Sequence, residues 1–79
     1  MLQLWILDRH LDNIGYSEVQ TVLVAAETET EARAAAFKEF RSENDCSAFM
    51  FADESTAQLV GNAGEGIEPG VHMYKRSPS

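Results

Sequence analysis

The stretch that most constrains this chain runs from Val19 to Phe40, where an apolar segment passes directly into a helix with its own start signal. Val19 to Ala26 (VQTVLVAA) is rich in β-branched residues, which suit a pleated, half-buried surface. Thr28-Glu29-Thr30-Glu31 then has the form of a capping box. A Thr hydroxyl accepts from an orphan amide, and a Glu three residues on reaches back. The spacing predicts a helix over about Glu29 to Glu43, with Ala32, Ala36 and Phe40 forming one apolar stripe flanked by Ala35 and Phe37. Glu31, Lys38, Arg41 and Ser42 fall on the opposite side, towards water.

Other strands are expected around this unit. Met1 to Asp8 (MLQLWILD) alternates with apolar residues on both faces, the pattern of a central or well-covered strand. Arg9 to Ser17 reads as a polar turn, and Asn44 and Asp45 as the close of the helix. Ser47 to Asp53 (SAFMFAD) alternates as a third strand, with Phe49 and Phe51 on one face. Ala57 to Val60 could add a short strand, Gly61 to Gly66 a loop, and Val71 to Lys75 a last strand before a tail from about Arg76 to Ser79. A helix of about 15 residues is roughly 22 Å long, enough to return the chain along one face so that the strands on either side of it point the same way. The expectation is one α+β domain over residues 1–79, β-β-α-β-β. Its sheet is mixed or mostly antiparallel, with one helix packed on one face.

Charge speaks to partners. Thirteen acids against six bases leave a net charge of −7 on 79 residues, which repels a phosphate backbone and attracts a basic protein surface. The expected topology gathers Glu27, Glu29, Glu31, Asp53, Glu54, Glu65 and Glu68 at one pole, against only the amino terminus and Arg33. The opposite pole mixes Asp8, Asp12, Glu18, Glu43 and Asp45 with Arg9, Arg41, Lys75 and Arg76. Acids in a first helical turn also serve the helix dipole, so a solvated surface and a binding face both account for this pole.

The chemistry-bearing residues are sparse. Asp8, His10 and Asp12 alternate like ligands, but a zinc site needs three or four converging groups and a calcium loop a different spacing. Cys46, the single cysteine, cannot form an intrachain disulfide, and Asp45 beside it disfavours the thiolate that a nucleophile requires. Gly61 to Gly66 lacks the Lys-Ser/Thr of a phosphate loop and carries Glu65 instead. Met1 to Leu7 is too short for a signal peptide or a membrane span. The expectation is a non-enzyme without cofactor or metal, in a reducing cytoplasm, that touches neither nucleic acid nor membrane directly.

Val24 to Ala36 (VAAETETEARAAA), preceded by the aromatic strand Leu4-Trp5-Ile6-Leu7, resembles small phage and prophage-encoded α/β proteins. In these a strand ends in A-E-T/S, a capping box opens the helix and E-A-R lies in its first turns. In size, charge and lack of catalytic residues the chain is similar to anti-CRISPR proteins. That resemblance implies a stoichiometric inhibitor, made in a bacterial host, which binds a type I CRISPR surveillance complex and blocks target DNA. The acidic pole would mimic DNA and contact a basic subunit surface, with Asp53, Glu54, Glu65 and Glu68 ahead of Glu27, Glu29 and Glu31. The chain would be a monomer or weak dimer. The alternative is a small virion structural or assembly protein that oligomerises through its sheet.

Overall fold

A computed structural model of the chain describes residues 1–10, 19–41, 46–51 and 55–76. Strands β1 (Gln3–Arg9) and β2 (Val19–Ala26) lead into helix α1 (Glu29–Phe40), a short 3-10 helix (Cys46–Met50), and strands β3 (Ser55–Asn62) and β4 (Gly70–Arg76). The sheet order is β3-β1-β2-β4, and every neighbouring pair is antiparallel. The β-β-α-β-β expectation therefore holds. β1, apolar on both faces, is indeed central, and β2 and β3, each antiparallel to β1, point the same way on either side of it. No helix among the described residues is long and apolar enough to cross a membrane.

The third strand is not where alternation places it. Residues 46–50 form the 3-10 helix, and β3 begins at Ser55 and takes in the whole of Ala57 to Val60. Phe49 is fully buried while Phe51 is 51% exposed, so the two do not share a face as a strand would require. With about three residues per turn, a 3-10 helix turns positions two apart to different sides. Asn44, Asp45, Ala52, Asp53 and most of the Arg9 to Ser17 turn lie outside the described residues. Arg76, expected to open the tail, closes β4 instead.

The helix starts as its sequence dictates. Thr28 is extended and its side-chain oxygen accepts the Glu31 amide at 3.2 Å, while Glu31 Oε2 reaches back to accept the Glu27 amide at 3.3 Å, one residue before the Thr28 amide that a capping box engages. Its buried face is Ala32, Arg33, Ala36 and Phe40. The alanines let the helix lie close to the sheet, where Leu7, Val22, Val24 and Phe49 complete the core. Phe40 and Phe49 supply the aromatic bulk, whereas Phe37, expected to share it, is only partly buried. Phe40 also meets the edge of Tyr74 at 5.0 Å and 71°. Phe40→Ala is expected to cost about 3 kcal/mol, near the lower bound for a buried aromatic because half-exposed Tyr74 can settle into the space. A urea midpoint indistinguishable from that of the parent chain contradicts this packing.

Candidate partner-binding site

Strand pairing brings three segments to one end of the sheet. Gln3 pairs with both Ala26 and Asn62, and Ala25 pairs with Gly70. The chain start, the β2–α1 junction and the β3–β4 loop therefore converge, carrying Glu27, Glu29, Glu31, Glu65 and Glu68, all exposed. The loop is tied down by local bonds. Ala63 donates its amide to the Leu2 carbonyl at 3.0 Å, Ile67 donates to Gly64 at 3.3 Å, and Gly66 has φ 86°, a region that favours glycine. His72 Nε2 lies 2.6 Å from the Glu68 carbonyl, which can only accept, so the ring nitrogen donates.

These carboxylates are not equivalent. Glu29 accepts from Arg33 Nε at 3.0 Å, and Glu27 pairs with the terminal ammonium at 3.2 Å in an exposed contact of small value. Glu31 takes part in the cap. Glu65 and Glu68 stand out on the loop. Two of the expected pole residues, Asp53 and Glu54, lie outside the described residues; the next described residue, Ser55, pairs with Arg9 at the far end of the sheet.

Between the junction and the loop lies a hollow of about 250 Å³, whose lining includes Leu2, Ala25, Ala35, Glu27, Glu31 and Pro69. Its lining is mostly apolar and includes two acidic residues, Glu27 and Glu31. A hollow of this kind suits a lysine or arginine side chain, whose aliphatic stem packs on apolar surface while its charged head meets carboxylate.

Arg33 is the residue whose structural role pattern reading missed. Expected beside the amino terminus as a countercharge near the acidic pole, it does pair with Glu29 there, but it is also buried and serves the fold. Its Nη1 donates to the Phe49 carbonyl at 3.1 Å and to Ser55 Oγ at 2.8 Å, and its Nη2 donates to the Ser55 carbonyl at 3.1 Å. Nothing in E-A-R spacing foretells this, because the partners lie 16 and 22 residues away.

Asp8, one of the spaced ligand types, accepts from the Thr21 hydroxyl, and Asp12 lies outside the described residues. Among the described residues no three His, Cys, Asp or Glu side chains converge on a metal position. The sheet face away from α1 bears Ile6, Leu23 and Met73 around a shallow cleft of about 210 Å³. Comparison with known proteins finds no family model that matches the chain, and no similar curated protein or solved structure.

Proposed function

We propose that this chain is a non-catalytic inhibitor of the anti-CRISPR class, phage-encoded and acting in the bacterial cytoplasm. It blocks target DNA by placing its acidic end on the cationic DNA channel of a type I surveillance complex. The observation that carries this reading is the hollow, where Glu27 and Glu31 join a mostly apolar lining beside the loop that presents Glu65 and Glu68. Channels that hold nucleic acid are lined by Lys and Arg. Such side chains find at this end both a carboxylate and a surface for their stems. Clustered charge speeds encounter and makes it salt-sensitive, and the net charge of −7 keeps the inhibitor itself off DNA.

The internal pairing of Glu27 and Glu29 directs the test to the loop. Glu65→Lys/Glu68→Lys is expected to slow association with a purified surveillance complex about tenfold or more and to flatten its salt dependence. The thermal melt should stay nearly unmoved, since both side chains are exposed. Asp53→Lys/Glu54→Lys forms a second arm. Glu27→Lys, at the hollow itself, forms a third. Loss of binding in the Asp53/Glu54 arm alone moves the contact to those two residues, and unchanged binding in all three arms refutes an acidic contact.

A further inference from the structure

The sheet has two edges, and they are built differently. β4 carries His72, Lys75 and Arg76, follows Pro69, and has irregular register against β2 at two places. Charge, proline and bulges are devices that keep an edge from pairing. β3 (STAQLVGN) has neither a charged residue nor proline. Among the strands only β2 is also free of charge, and β2 is paired on both sides. β3 thus lacks the charge and the proline that guard the other edge. Its one irregularity, near Val60, leaves Ser55 to Leu59 in unbroken register with Arg9 to Trp5.

We propose that β3 is the interface of a homodimer, pairing antiparallel with β3 of a second copy about a twofold axis at Ala57. Such an axis sets Ser55 opposite Leu59 and Thr56 opposite Gln58 in the other copy. Leu59, paired with Trp5, is on the helix side of the sheet and 49% exposed. Ser55 is on the same side, and its Oγ reaches the Phe51 carbonyl at 3.2 Å. The axis therefore brings the exposed Leu59 of each copy towards the exposed Phe51 and Met50 of the other. Two apolar surfaces that are exposed among the described residues become partners between two chains.

Charge selects this arrangement over a parallel one. Glu65 and Glu68 follow the C-terminal end of β3. Antiparallel pairing sends the two acidic ends to opposite corners of an eight-stranded sheet, whereas parallel pairing would set them side by side. The inference is independent of what the acidic end binds, and it leaves that end accessible in both copies.

Sedimentation of the wild-type chain between about 1 and 500 μM should show a concentration-dependent rise from 8.8 kDa towards twice that mass. Thr56→Lys/Gln58→Lys places lysines opposite lysines across the axis, so the dissociation constant should rise about tenfold or more. The same change lowers the net negative charge, so weaker association cannot come from greater overall repulsion. Met73→Lys, on the open sheet face, should leave the dimer intact. In a mixed-label dimer, nuclear Overhauser contacts between Leu59 methyls and the partner's Phe51 ring are expected, which keeps the test valid if the lysine variant unfolds. A monomer across the whole range, or a dimer broken by Met73→Lys, or one without those contacts, overturns the proposal.

Discussion

Phe49→Ala is expected to lower stability by about 4–5 kcal/mol. Phe49 is the largest fully buried side chain among the described residues, and it belongs to the same core cluster as Leu7, Val22, Ala32 and Ala36. Helix α1 offers mainly alanine to the sheet, so among the described residues the fully or nearly fully buried aromatic bulk comes from Phe40 and from this one residue on the connecting segment. Truncating a buried Phe loses its transfer energy and leaves a cavity that its neighbours fill only in part. Alanines cannot reach into that space, and Val22 and Val24 are held by strand pairing on both sides. A domain of this size has a total stability of about 4–12 kcal/mol, so the loss is a large share of the whole. Phe49→Leu should recover more than half of it. Chemical denaturation of the three proteins is the measurement, and Phe49→Ala within about 1 kcal/mol of the parent would show that Phe49 does not fill the core.

The legible parts of this fold are those whose signal is local. A Thr hydroxyl bonding an amide three residues on needs nothing distant, so the start of α1 and its Ala32–Ala36–Phe40 stripe follow from residue order. β1 likewise announces a central place through its two apolar faces. Residues 46–51 do the opposite. Their alternation suits a strand, but this short apolar run buries Ala48 and Phe49 under a helix already in place, and tertiary contact decides the backbone. That choice moved the third strand to Ser55–Asn62, a stretch whose Ser, Gln, Gly and Asn residues gave only a weak strand signal. The acidic end was legible for Glu27, Glu29, Glu31, Glu65 and Glu68 because the β2–α1 junction and the β3–β4 loop reach the same end wherever β3 begins. The use of Glu31 in the cap was legible in the same way, whereas the burial of Arg33 beside Glu29 was not, since it depends on Phe49 and Ser55 far along the chain.

Arg33→Met is expected to destabilise the chain by about 3–5 kcal/mol while leaving α1 a good helical sequence. Arg33 joins three elements that periodicity alone does not connect. Its guanidinium holds the Phe49 carbonyl of the 3-10 helix and both oxygens of Ser55 at the start of β3, and its Nε pairs with Glu29 one turn back. Hydrogen bonds to a charged donor contribute about 1.5–3 kcal/mol each, and a buried acceptor stripped of its donor bears its full desolvation cost. Methionine keeps much of the stem's packing but satisfies none of these oxygens. Ser55 Oγ would keep its own donation towards the Ala48 carbonyl at 2.7 Å, so its loss is partial, whereas the Ser55 carbonyl loses a charged donor outright. Arg33→Lys separates charge from shape. An ammonium keeps the positive charge yet cannot span Glu29, Phe49 and Ser55 with a planar fork, so lysine should restore less than half of the loss. Hydrogen exchange locates the effect, with the Ser55 amide, which donates to the Phe51 carbonyl at 3.1 Å, losing protection before the β1–β2 ladder does. Full rescue by lysine, or uniform loss of protection across the sheet, would show that Arg33 acts through its charge or through general packing and not as the clamp between helix, 3-10 segment and β3.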